Sequence, residues 1–198
     1  MFMPKVIISK MACIQLTDHV YSTGFRYETG GVLLGYRFLW IFYVIGITFP
    51  RHSERATRTT FILNGEEHTE DAEKIMERFV PHLQLVGIWH SHTTEDNSFS
   101  LQDKETNKIL VEQIGRMLSI IVTQQRGSNV IRLDPYYISA NSREFLCKYT
   151  IGGGKGMSNS NKEERCSNCI HWVHRKCSVT GQVKNDGICT CGCFKPRS

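Results

Sequence analysis

The sequence predicts an α+β domain followed by a small cysteine-rich appendage. Three observations carry this reading. Strand-like segments are interspersed with a few helical ones through residues 1–151. A Gly/Ser/Asn-rich stretch follows at 152–165, with the composition of a flexible linker. Beyond it, residues 166–198 hold six of the eight cysteines, too short a segment to fold on an apolar core without a staple. At 198 residues and 40% hydrophobic content, the chain is long enough for one good core plus such an appendage.

Val6–Ser9 reads as a short strand. Met11–Ser22 reads as a helix, with Ile14 and Val20 at helical spacing and Gly24 as its stop. Cys13 within it reads as a small buried hydrophobe, and His19 as a surface or boundary residue. Phe25–Tyr36 and Leu39–Thr48, rich in Val, Leu, Ile and aromatics, read as two strands joined by a tight turn near Arg37. Glu28 falls in the first of them, amid apolar neighbours, where burial disfavours the charged carboxylate. Gly30 and Gly31 allow another backbone or a substrate strand to come close.

The polar, basic stretch Pro50–Thr60 reads as an exposed loop, and Phe61–Leu63 as a short strand. Thr69–Phe79 reads as a helix with Glu70 and Asp71 at its N-terminal end, where negative charge suits the helix dipole. His52, His68 and His82 have no partner at ligand spacing and read as surface residues. The apolar run Leu83–Trp89 is a buried strand, and Leu101–Ile114 an amphipathic helix. Strands follow at Ser119–Gln124 and Val130–Ser139, turning at residues 126–129, and a last one at Phe145–Ile151 with Cys147 buried.

The stretch Val86–Asp103 carries the chemistry. Two histidines, His90 and His92, close the apolar strand, and residues i and i+2 of a strand point to one face. Both imidazoles can therefore meet one metal ion. Asp103, in the first turn of the next helix, can supply a carboxylate as the third ligand. Two histidines and a carboxylate, with a fourth position left for water, form the donor set of a hydrolytic zinc site. Ser100-x-x-Asp103 also reads as a capping box. The two roles are compatible, because a capped helix start fixes where Asp103 points.

His90-x-His92 followed by Ser100-x-x-Asp103 resembles the signature of the JAMM (MPN+, Mov34/PAD-1-like) metalloproteases, and Glu28 fits the glutamate this family carries ahead of a Gly-rich strand. Thr93 stands where many members have proline, which touches loop shape and no ligand. The resemblance implies a cytidine-deaminase-like fold, a curved mixed sheet flanked by helices. It implies a catalytic Zn2+ on His90, His92 and Asp103. Glu28 would take a proton from water and hand it to the leaving amine, and Ser100 would donate to the developing oxyanion. The implied reaction is hydrolysis of an amide or isopeptide bond. The compact form is similar to the prokaryotic branch, which implies a ubiquitin-like or sulfur-carrier protein as substrate. Its extended C-terminal tail would bind near Pro50–Thr60 and Thr93–Phe99.

Charge is unevenly placed. Residues 152–198 hold eight Lys/Arg against three Asp/Glu, while residues 1–151 balance at sixteen of each. The basic tail is either a solvated surface or a nucleic-acid contact. No signal peptide is evident, and the longest apolar run, Phe38–Phe49, falls short of the ~20 residues a bilayer span needs. A cytoplasmic protein with no membrane partner is expected, whose cysteines are metal ligands or free thiols rather than disulfides.

Cys166-x-x-Cys169 is a metal knuckle, to which Cys177 and one of Cys189, Cys191 and Cys193 can add. The ending resembles small modules of the form C-x-x-C…C…C-x-x-F-x-P. This favours Cys166, Cys169, Cys177 and Cys191 as a second, structural Zn2+ site, with Cys189 as the alternative fourth ligand. His171 and His174 can compete, and an iron–sulfur cluster uses the same four thiolates. The alternative function is a non-catalytic MPN scaffold whose tail binds nucleic acid or a protein partner.

Overall fold

In the computed structural model, residues 4–51, 57, 65–79, 82–125 and 130–152 are described, with the backbone of 172–173 and 176–177. The elements run β1 (Lys5–Ser9), α1 (Lys10–Thr23), β2 (Gly30–Phe38), β3 (Ile41–Ile47), α2 (Gly65–Met76), β4 (Gln84–Ser91), α3 (Leu101–Ile114), β5 (Met117–Gln124), β6 (Ile131–Ile138), β7 (Glu144–Leu146) and β8 (Tyr149–Gly152). Two short strands, β9 (Trp172–Val173) and β10 (Lys176–Cys177), pair antiparallel.

Strands β1–β8 form one mixed sheet in the order β7-β6-β5-β4-β2-β3-β1-β8. β1 runs parallel to β3 and β8, and β4 parallel to β5; the other pairs are antiparallel. The architecture is the expected α+β domain with a curled mixed sheet. Helices cover both faces. Ala12, Cys13, Leu16 and Val20 of α1 pack on Leu33, Phe42, Trp89, Leu118 and Ile120. On the other face Ala72 of α2 and Val111 of α3 pack with Val32, Leu34, Ile88, Met117 and Ile121. Alternate residues of β2 and β5 thus enter opposite cores, which is why these strands read as continuous apolar runs. Full burial of each such aliphatic side chain contributes about 1.5–3 kcal/mol.

Local chemistry sets the ends of α1. Ser9 caps it, its hydroxyl accepting from the Ala12 N–H at 3.1 Å, and Gly24 ends it in the left-handed region at φ 61°. Gly31 answers to a close approach: a Cβ there would stand 2.2 Å from the Thr48 oxygen and 2.8 Å from Trp89 Nε1. The backbone that needs the room is β3's own continuation at Thr48.

Several elements depart from the sequence reading. Glu28 is not in a strand. The chain leaves α1 through a turn with Phe25 at φ 54°, and β2 begins only at Gly30, where the ladder to β4 starts. The β2–β3 turn is at Leu39–Trp40, beyond Arg37. α2 starts at Gly65, one turn earlier than expected, so Glu66 and Glu67 occupy its first turn. This register turns His68 inward: it is buried, with Nδ1 2.5 Å from Thr48 Oγ1, and not a surface residue. His19 is a boundary residue and His82 is exposed, as expected.

Phe145–Ile151 is two strands, β7 and β8, on opposite edges of the sheet order. Between them lie Cys147, whose N–H donates to Pro135 O of β6 at 2.8 Å, and Lys148, whose carbonyl accepts from Val6 N of β1 at 3.3 Å. The sheet curls until its two edges are joined across these residues. Cys13 and Cys147 are buried, as expected. The Phe61–Leu63 strand, His52, the 126–129 turn, His171, His174 and Cys166, Cys169, Cys189 and Cys191 lie outside the described residues, and Cys177 is described by its backbone alone.

Candidate metal centre

β4 delivers both histidines. Its antiparallel pairing with β2 sets Gly30 opposite His90, and its parallel pairing with β5 sets Ile121 on the other side. His90 and His92 are buried on one face and Ser91 is buried on the other. The two imidazoles lie with Nε2 atoms 3.0 Å apart. His92 Nδ1 is 2.6 Å from the main-chain oxygen of Asp96, which can only accept, so Nδ1 carries the proton and Nε2 presents its lone pair. That is the outer hydrogen bond that orients metal-ligating histidines.

Asp103 enters from α3. Its Oδ1 is 3.4 Å from His90 Nε2 and its Oδ2 is 3.7 Å from His92 Nε2. The capping box forms as expected: the Asp103 N–H donates to Ser100 Oγ at 3.1 Å, and the Ser100 N–H donates to Asp103 Oδ2 at 2.8 Å. The cap holds one carboxylate oxygen and leaves the other turned to His90. Donor atoms of His90, His92 and Asp103 all lie within 4.8 Å of one another, and these side chains could hold a metal ion. Ligands at 2.0–2.1 Å around tetrahedral zinc stand about 3.3 Å apart, so the spacing suits a small divalent cation.

The loop before α3 is tied down. Phe99 packs edge-on to Tyr136 at 4.8 Å and lies 6.3 Å from the His90 ring, and Tyr136 Oη donates to Asn97 O at 3.0 Å. A cleft of about 270 Å³ opens on His90 and Asp103 and runs between Thr106, Ile109 and Leu110 of α3 and Val32, Leu85 and Ile88 of the sheet. Its walls are mostly apolar.

The segment that carries Glu28 is tied down on both sides. The Glu28 N–H donates to Thr57 O at 2.8 Å. The next residue is clasped to β4: the Ser91 N–H donates to Thr29 O at 2.7 Å, and the Thr29 N–H donates to Ser91 Oγ at 3.0 Å. Burial pushes the Glu28 carboxyl above its ordinary value, against the pull of His92 and with the help of the Asp103 charge. Burial would also raise Asp103, but the His90 and His92 imidazoles and Ser100 hold it well below the usual carboxylate range. His92 is opposed by burial, yet Asp103, the Asp96 carbonyl and Glu28 raise it above the ordinary imidazole value.

Thr29, Ser91 and Asp96 were not singled out in the sequence. The one local signal was Ser91, a polar residue whose strand position between two same-facing histidines sends it into the opposite core. His19 adds to this support, its Nε2 2.9 Å from Thr29 Oγ1 and its ring 4.7 Å from Phe49.

Fold and site geometry define a class: a curled α+β domain in which two histidines and an aspartate are grouped so that they could hold a metal ion. Residues 16–134 match the family of prokaryotic homologs of the JAB domain, and the chain belongs to that family. It is similar in structure to a solution structure from Desulfitobacterium hafniense, with a TM-score of 0.57, 16% identity, and coverage of 76% of this chain and 97% of that one, which shows the shared fold. No curated protein matches the sequence. Among the described residues no helix is long and apolar enough to cross a membrane.

Proposed function

We propose that the protein is a zinc-dependent isopeptidase or peptidase that hydrolyses an amide or isopeptide bond at the C-terminal tail of a ubiquitin-like or sulfur-carrier protein. The observation that carries this reading is the convergence of His90, His92 and Asp103 within 4.8 Å, with a half-buried carboxyl at Glu28 coupled to them. When bound, zinc supplies Lewis acidity, lowering the pKa of water toward about 7 and polarising the scissile carbonyl. His90, His92 and Asp103 are the side chains that would hold it.

The chain's own residues do the rest. Glu28, its proton affinity raised by burial, takes the proton of the attacking water and delivers it to the leaving amine. Ser100 Oγ accepts from the Asp103 N–H, which leaves its hydroxyl hydrogen to donate to the developing oxyanion. The apolar cleft beside His90 gives an extended tail a water-poor path to the site. The complete donor set weighs against a scaffold that has lost its chemistry. For the tail we keep a second Zn2+ on Cys166, Cys169, Cys177 and Cys191, and nucleic acid as a candidate partner of its basic surface.

Incubation of the metal-loaded protein with ubiquitin-like fusions tests the reading. Glu28→Gln should keep the metal and lose cleavage, by about 10²-fold or more. Unchanged turnover removes Glu28 from its role. Metal analysis should give two zinc ions for the full chain and one for a fragment ending at Gly152, and a fragment with none refutes the open site.

A further inference from the structure

The far end of the molecule carries an apolar tip that the proposed chemistry does not use. Phe38, Leu39 and Trp40, three consecutive large apolar residues at the β2–β3 turn, are exposed at 66%, 65% and 46%. The tip is held rigid. Arg37 Nη1 donates to Ile114 O at 3.2 Å and Arg116 O at 2.6 Å, the Arg116 guanidinium lies 5.5 Å over the Trp40 ring, and the Lys5 N–H donates to Trp40 O at 2.8 Å.

Leu39 is in the left-handed region at φ 51°, where a two-residue hairpin favours glycine or asparagine. Phe25 shares that strain but packs against the core beneath α1. Leu39 has no such return within the fold, so its exposure and its strain both point outward.

We propose that this tip is a peripheral docking wedge for an anionic lipid surface. A convex point of Phe, Leu and Trp inserts into the headgroup–acyl boundary without needing a shaped pocket, and Trp favours that boundary. The fold sets cations around it: Arg37 and Arg116 behind the turn, Lys5 on β1, and Lys148, whose carbonyl pairs with Val6. Glu112 in the last turn of α3 and Glu144 opposite Ile138 are carboxylates of the same end. Aliphatic Leu39 at the apex distinguishes a lipid surface from a nucleic acid, which offers it no complementary face. A peripheral contact needs no spanning helix, so it is compatible with the absence, among the described residues, of a helix long and apolar enough to cross a membrane. β2 rises about 26 Å from Gly30 to Phe38, so docking by the tip leaves the metal centre at the end pointing away from the lipid.

The test uses the full chain and vesicles of phosphatidylcholine with and without phosphatidylserine. The basic tail can also attract anionic vesicles, so sedimentation is read at low salt and at about 0.5 M salt, where exposed charges are screened and apolar insertion persists. Wild type should pellet with phosphatidylserine vesicles and retain binding at high salt. Leu39→Gly/Trp40→Ser, whose glycine relieves the backbone strain and protects folding, should lose that retained binding about tenfold. Brominated lipid should quench Trp40 fluorescence in wild type and not in Trp40→Phe, which should still pellet. Equal pelleting of the double variant assigns vesicle binding to the tail and overturns the proposal. So does absence of wild-type binding, a wild-type dimer that the double variant abolishes, or a nucleic acid retained by wild type and released by the double variant.

Discussion

Thr29 and Ser91 hold each other through two hydrogen bonds, Ser91 N–H to Thr29 O at 2.7 Å and Thr29 N–H to Ser91 Oγ at 3.0 Å. Glu28 directly precedes Thr29, and His90 and His92 flank Ser91. Ser91 is outside the candidate metal-holding group, yet it ties the segment that carries Glu28 to the strand that carries His90. Ser91→Ala leaves a buried Thr29 N–H unpaired, at a cost of about 1–3 kcal/mol. The variant should retain metal stoichiometry while cleavage falls tenfold or more, as metal analysis, urea unfolding and turnover would report.

Gly31 is closed to any side chain. Gly31→Ala would place a methyl against Thr48 O and Trp89 Nε1, and overpacking of this kind costs about 1–3 kcal/mol. A lower urea midpoint with unchanged slope is the expected result.

Glu28 makes stability depend on pH in a defined direction. Its folded pKa is raised above the ordinary 4.5 by burial, so its contribution is fully present below the unfolded value and is lost as pH rises through the folded one. Glu28→Gln stays neutral and avoids that loss. With chelator present, the variant should melt above wild type at neutral pH and show no such gain at about pH 4. An equal difference at both pH values would mean that the carboxyl is not perturbed.

If the proposed site holds a metal, His92 couples its uptake to protons. In the metal-free protein Asp103, the Asp96 carbonyl and Glu28 raise it above 6.5 against burial, while a ligating imidazole must be neutral. Zinc binding at mildly acid pH should therefore release a proton, and affinity should fall as pH drops through the imidazole range. Calorimetry in buffers of different ionisation heat measures the release.

The cleft wall offers a readout separate from the metal. Ile109→Asp puts a charge beside an apolar path and should raise KM for a tail-bearing substrate by about tenfold, leaving zinc content unchanged.

The grouping of His90, His92 and Asp103 was legible because its signals are local. Two residues of one strand face and a capping box at the next helix start are short-range patterns, and the fold brings them together unaltered. Glu28 was misplaced as an element, since β2 begins where Gly30 meets His90, sixty positions away in sequence. His68 was misread for a similar reason: only the packing of α2 on β2, and Thr48 waiting beneath it, decides that an isolated histidine faces inward. The split of Phe145–Ile151 depends on two edges meeting in space, and no periodicity encodes that.

That meeting at Cys147–Lys148 makes β8, Tyr149–Gly152, a fastener. A chain cut before Tyr149 would lack β8 and bare the flank of β1, a ready template for another molecule. Fragments that stop short of Gly152 should clump or fray from both rims at once, and those that include it should stay monodisperse.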